Sequence, residues 1–158
     1  MPAKKPPAFV LSAGWVCFLC AGLASPAGQS GPAQDAFTER TAHALLDQIA
    51  SGLVAHNRNR MLAAFDIDKM TDGPLFKQQV TSLFNQTVEI RVHFDRIQTS
   101  VEEGRSMATV EFELEAGRSD DRLPPLYKQA QLQLVAENTT GKWKFTDVQP
   151  RTFFSVQP

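Results

Sequence analysis

Val88-Glu89-Ile90-Arg91-Val92-His93-Phe94-Asp95 alternates apolar and polar residues without a slip. In a strand, successive side chains point to opposite faces. Val88, Ile90, Val92 and Phe94 therefore share one face, and Glu89, Arg91, His93 and Asp95 the other. Such alternation fits a strand covered on one side and wet on the other. The pattern recurs downstream. Ala108, Val110, Phe112 and Leu114 oppose Thr109, Glu111, Glu113 and Glu115, and Ala130, Leu132, Leu134 and Ala136 oppose Gln131, Gln133 and Glu137. A fourth strand runs from Lys142 to Val148 and is interrupted by Pro150, which cannot donate to a ladder. Glu102-Glu103-Gly104-Arg105 and Asn138-Thr139-Thr140-Gly141 read as turns, the second a hairpin loop. Gly117 to Pro125 reads as a polar connection.

The cover for the apolar face must come from upstream, where the period changes to that of a helix. A first helix is expected from Asp35, an N-cap residue type, with Glu39 in its first turn to complement the dipole. Phe37, Leu45, Leu46, Ile49 and Leu53 form its apolar stripe. His56-Asn57-Arg58-Asn59 breaks that pattern. A short second helix carries Met61, Leu62 and Phe65 and ends at Asp66-Ile67-Asp68. A third starts at Asp72-Gly73-Pro74, where proline is tolerated because its missing N–H would be unpaired anyway. Leu75, Phe76, Val80, Leu83 and Phe84 make its apolar face, and Asn85-Gln86-Thr87 is the exit. Helices followed by strands describe an α+β domain.

The first residues follow a different logic. Lys4 and Lys5 precede an uncharged apolar run from Ala8 to Ala24, followed by small residues. That is the layout of a secretory signal peptide, with cuts fitting after Ala24 or Ala27. The expected organisation is a signal peptide over 1–27, a Pro/Gly-rich linker over 28–34 and one domain over 35–158. The domain is then exported, periplasmic or extracellular. The alternative is a membrane anchor at residues 8–24 with the domain outside. Cys17 and Cys20, the two cysteines of the chain, lie in this leader. Bulky Phe18-Leu19 argue against lipid attachment at Cys20. The exported part would hold no disulfide and rest on its core. A short leader and no later cysteine look bacterial. The 158 residues carry a net charge of −1 with no basic run, so no nucleic-acid surface is expected.

Three helices ahead of a curved antiparallel sheet, closing on Trp143-Lys144-Phe145-Thr146-Asp147-Val148, resemble the nuclear-transport-factor-2-like superfamily over about Asp35 to Val156. A cystatin-like fold, with one long helix on a similar sheet, is the alternative. The resemblance implies a cone with a pocket between helices and sheet. It also implies a choice among isomerases, cyclases, dehydratases, scaffold subunits and protein-binding modules, so fold alone decides no activity.

Asp147 is the ionisable residue of most interest. By period two it shares a face with Trp143 and Phe145, and a carboxylate in a covered pocket is a candidate acid or base. The other reading is a bulge before Pro150 that turns Val148 inward instead. An inward Asp147 could also pair with Arg151 or cap a helix. The steroid-isomerase branch combines an Asp base with a Tyr and a protonated Asp. Tyr127, at the start of a strand, and Asp66 and Asp68, at a helix end, do not match those positions. The dehydratase branch needs a His-Asp pair in the pocket. His93 and Asp95 lie about 6–7 Å apart along one strand, but on its polar face. His43 and His56, about 220° apart around a helix axis, cannot share a metal. No CxxC, HExxH, GxSxG or Gly-rich phosphate loop occurs, so no metal and no cofactor are expected.

The expected pocket is lined by Met61, Phe65, Phe84, Phe94, Phe112, Trp143 and Phe145, with Asp147 as its polar anchor. The leading expectation is a non-enzymatic binding domain. It would take a small apolar ligand or a protein partner in the cone or on the sheet face. The alternatives are an isomerase or cyclase acting on a hydrophobic carbonyl compound with Asp147 as base, and a component of cell-envelope assembly. The polar face of the sheet, with Glu111, Glu113, Glu115, Gln131, Gln133, Lys144 and Thr146, is expected either to stay solvated or to form a homodimer. Phe153 and Phe154 are expected to pack on the domain edge.

Overall fold

A computed structural model describes residues 36–156. The signal peptide expected over 1–27 and the linker over 28–34 lie outside these described residues. The elements are α1 (Glu39–Val54), α2 (Arg58–Leu62), α3 (Gly73–Gln86), β1 (Thr87–Glu102), β2 (Arg105–Arg118), β3 (Leu126–Thr139) and β4 (Lys142–Gln149). The strands form one antiparallel sheet in the order β1-β2-β3-β4, and the helices cover its apolar face. The fold is α+β, as the alternation predicts. No helix among the described residues is long and apolar enough to cross a membrane.

The first helix begins later than expected and the second earlier. Thr38, not Asp35, caps α1: its backbone is extended and its hydroxyl accepts from the Thr41 amide at 3.3 Å. Asn57 caps α2, so Arg58 and Asn59, expected to interrupt, are its first turn. Gly52 lets α2 approach α1, because a Cβ there would stand 2.5 Å from the Met61 nitrogen. Phe65 lies beyond α2. There the chain runs along the outer edge of β4, with Asp66 N–H donating to Phe145 O and Phe145 N–H to Ala64 O, at 2.8 and 2.9 Å. Asp72 precedes α3 as expected but makes no cap bond with its side chain. Leu75, expected on the apolar face, is 53% exposed.

Both hairpin turns put successive residues at positive φ, Glu103-Gly104 (50° and 77°) and Thr140-Gly141 (52° and 80°). Such turns match the right-handed twist of the strands they join. The bulges matter more for function. Val88 and Glu89 lie opposite Gly117 alone, which turns Thr87 inward and leaves Val88 65% exposed, against the alternation. Arg96 and Ile97 lie opposite Val110, with Arg96 at φ 52°. In β4, Phe145 pairs with Ala136 and Asp147 with Val135, so Thr146 is the extra residue. Each bulge bends its strand and sharpens the twist, which curves the sheet around its cover. Among the described residues no further strand pairs with the outer edge of β1.

Candidate functional site

The β4 bulge decides where Asp147 goes. Phe145 and Val148 are both fully buried, opposite the inward residues Ala136 and Leu134. Asp147 lies opposite outward-facing Val135, half-buried beside the start of α3. The bulged reading of this strand is the one realised. Asp147 is gripped by Arg151: its Oδ2 accepts from a terminal guanidinium nitrogen at 3.3 Å, and Nε lies 3.3 Å from Oδ1 without hydrogen-bond alignment. The same guanidinium donates to Asp72. Hydrogen bonding to Asp147, then its charge and that of Asp72, hold Arg151 above even its ordinary high range. The triad borders a crevice of about 20 Å³, lined by Met70, Leu75, Phe76 and Gln79 as well. That is room for about one water.

The other residues expected to line a pocket are distributed through the interior. Met61, Phe65, Phe112 and Phe145 are almost wholly buried, Phe84 nearly so, and Phe94 and Trp143 are half-buried. Most belong to one train of rings. Phe94 stacks on Phe112, with centroids 6.1 Å apart and planes 13° from parallel. Phe112 meets Phe153 and Phe154 edge-on at 5.5 and 6.2 Å. Phe154 meets Phe76 at 5.9 Å, Phe76 meets Phe65 at 4.8 Å, and Phe65 meets Phe145 at 5.9 Å. Phe37 joins Phe145 to Trp143. Phe84 stands apart, against the His56 ring. Phe153 and Phe154, expected at the edge, therefore sit inside, between α3 and β2. The segment after Pro150 carries them in, and their burial is worth more than leaving either ring in water.

One arrangement went unnoticed in the sequence. His43 Nδ1 and Asp47 Oδ2 are 2.9 Å apart on α1, and the imidazole stands edge-on to Phe94 with centroids 5.4 Å apart. The pair is 56% and 61% exposed and borders a broad open depression with Glu39, Arg40 and Ala44. The i,i+4 spacing was the available signal. His93 and Asp95 are exposed on the outer face, as expected, and His56 is used structurally on Phe84 O at 2.9 Å. Asp66 accepts from the Thr139 hydroxyl at 3.2 Å, while Asp68 is exposed. Among the described residues no three His, Cys, Asp or Glu side chains gather as metal ligands.

The described fold matches solved structures of one kind. A candidate scytalone dehydratase from Novosphingobium aromaticivorans DSM 12444 superposes with a TM-score of 0.58 at 13% identity, over 69% of this chain and 79% of that one. The chain has the nuclear-transport-factor-2-like fold. ActVI-ORFA from Streptomyces coelicolor matches this fold with a TM-score of 0.50 at 12% identity, over 69% and 89%. A hexachlorocyclohexane dehydrochlorinase, LinA type 2, gives 0.51 at 13%, over 70% and 84%. No family model and no curated protein matches the sequence.

Proposed function

We propose that this nuclear-transport-factor-2-like domain is an isomerase- or cyclase-type enzyme for a hydrophobic carbonyl compound, with His43 as the proton-transfer group. The observation that carries the reading is the His43–Asp47 contact at 2.9 Å beside the Phe94 ring. A base needs an orienting partner and a surface that holds the substrate next to it. Asp47 supplies the first, and the half-buried Phe94 ring beside the imidazole the second. The names of the structural neighbours, a dehydratase and a dehydrochlorinase among them, favour an enzyme over a passive binder. Asp147 is the second candidate base, but its engagement with Arg151 leaves it less available than His43.

The test is hydrogen exchange. The purified chain is incubated in deuterated buffer with a panel of cyclic enones and β-hydroxy ketones. Incorporation at the carbon next to the carbonyl is then followed by NMR. Exchange with at least one compound is expected, lost in His43→Gln and kept in Asp147→Asn. No exchange across the panel, or equal exchange in His43→Gln, overturns the assignment.

A second reading, a non-enzymatic domain that binds a protein partner on its sheet face, is favoured by one observation. Phe153 and Phe154 fill the middle of the interior, where a reaction would need space. Binding without exchange would select it. Export is a separate inference, supported by Lys4-Lys5 and the apolar run that follows. A mature protein starting at Ser25 or Gly28 is the expected outcome.

A further inference from the structure

We propose that one end of the sheet's outer face is a docking site for a protein segment that presents an arginine between apolar residues. The inference rests on the second reading above, a partner on the sheet face, and does not depend on His43.

The site follows from the bulge at the start of β1. Val88 is turned out of the core there and lies over Gly117, where a Cβ would stand 3.2 Å from Val88 Cγ2. The next outward row is Arg91, Glu115 and Tyr127, one residue each from β1, β2 and β3. A crevice of about 140 Å³ opens here, lined by Glu89, Arg91, Glu115, Gly117 and Pro125. Its surroundings are apolar and wet at once. Val88 is 65% exposed, Tyr127 62%, and Leu123, two residues before Pro125, 50%. Exposed apolar side chains gathered around a polar cleft mark a protein-binding surface.

Charge selects the occupant. Glu111, Glu113 and Glu115 lie on the outward side of β2. Glu111 is bound by Arg96 at 2.8 Å, and Glu113 accepts from the Gln129 amide at 2.9 Å. Glu115 has no partner among the described residues, because Arg91, opposite it, is committed to Glu89 at 2.9 Å. Two carboxylates against one guanidinium leave the crevice with excess negative charge. A carboxylate in water needs no partner, so Glu115 alone would carry nothing. Its place between exposed Val88 and exposed Tyr127 is what points to a cation with an apolar stem. An arginine meets all of these features together. Its guanidinium takes both oxygens of Glu115 and lies on the Tyr127 ring, while its stem covers Gly117 and Pro125. Lysine, a more strongly hydrated point charge, matches carboxylate and ring less well. Apolar residues on either side of the arginine would cover Val88 and Leu123. A free guanidinium compound would leave those two in water, so the occupant is a protein segment.

The experiment titrates the isotope-labelled full chain, followed by NMR, with acetyl-Leu-Arg-Leu-amide, with the same peptide carrying citrulline for arginine, and with methylguanidinium. The arginine peptide should shift the amides of Val88, Glu89, Glu115, Gly117 and Tyr127. The citrulline peptide, similar in shape but uncharged, should bind roughly two- to fivefold more weakly, the worth of one exposed ion pair. Methylguanidinium, with the charge and no apolar flanks, should bind weaker still, by roughly tenfold or more against the arginine peptide. Glu115→Gln should bring the arginine peptide down to the citrulline level. Val88→Ser should weaken both peptides and leave methylguanidinium unchanged. Both positions are exposed, so both variants should keep the fold. Equal affinity for the two peptides, methylguanidinium as tight as the arginine peptide, or no shift up to millimolar peptide would overturn the proposal. So would self-association of the chain that covers Val88 and Tyr127 without peptide, since the occupant would then be a second copy. Shifts confined to another part of the sheet face would overturn this site and leave the second reading standing.

Discussion

The centre of the concave face and its flank along β1 are built from the same residue types and differ in what covers them. At the centre, Phe112 is sealed by Phe153 and Phe154 from one side and by neighbouring strands from the other. One strand away, Phe94 stacks on Phe112 yet remains half-exposed, as do Val92 and Ile97. The alternation that puts an apolar residue on the inner face does not say how much cover that position receives. The tail after Pro150 closes the centre, and α1 reaches over the flank only in part, ending it with an exposed His43–Asp47 pair. Dry, close-packed rings support stability, and a wet apolar shelf beside a titratable group is where a small molecule could react.

The largest expected effect falls at the centre. Phe154→Ala should cost about 3–5 kcal/mol in urea unfolding, because it leaves a cavity walled by rigid rings. Phe94→Ala should cost roughly half of that or less, since water can fill the space it vacates. Equal losses would erase the contrast between the two regions. Next comes Arg151→Gln, which should lower Tm by less than Phe154→Ala and raise deuterium uptake at 150–156. A uniform rise over the whole sheet would mean that the tail does not open as a separate unit. His43→Gln should change stability by no more than about 0.5 kcal/mol, the scale of an exposed helix pair, while abolishing catalysed exchange.

The smallest effect is on pH dependence. Burial, and then the charge of Arg118, hold Lys128 below the ordinary lysine range. It binds fewer protons folded than unfolded in the window below the ordinary lysine value, so its contribution to unfolding free energy rises with pH there. Wild type should therefore gain stability relative to Lys128→Met as pH climbs toward 10.5. A gap that stays flat or narrows would contradict the burial of Lys128.

The strands, their hairpins and most inner-face residues were legible because period two survives wherever one face is dry. Phe112, Leu132 and Leu134 are buried as the alternation requires. In β4 the proline at 150 gave warning, and the bulge that turns Val148 inward and takes Asp147 out of line with Phe145 was one of the two readings offered. Reading failed in β1, where an extra residue at Val88-Glu89 changed the phase and put a valine in water. No proline marks that bulge, whose cause is the curvature that the assembled sheet must reach. The destination of Phe153 and Phe154 was hidden for a related reason. A short segment with no period of its own is placed by the vacancy it fills, and that vacancy exists only after helices and sheet have met. His43 and Asp47 were visible as an i,i+4 pair, but the partner that gives them meaning, Phe94, is contributed by a distant strand.

The free margin of β1 has a consequence for the crowded solution in which such a chain lives. Among the described residues the outer edge of this sixteen-residue strand has no partner, and it is long enough to seed growth by another copy. The left-handed kink at Arg96 prevents a newcomer from following the margin for its whole length, and the charges at Glu89, Arg91, Asp95 and Arg96 make a wrong register repulsive. Deleting Arg96 would restore unbroken alternation through Ile97 and Thr99. The same repair would remove the obstacle that keeps one molecule from adhering to the next.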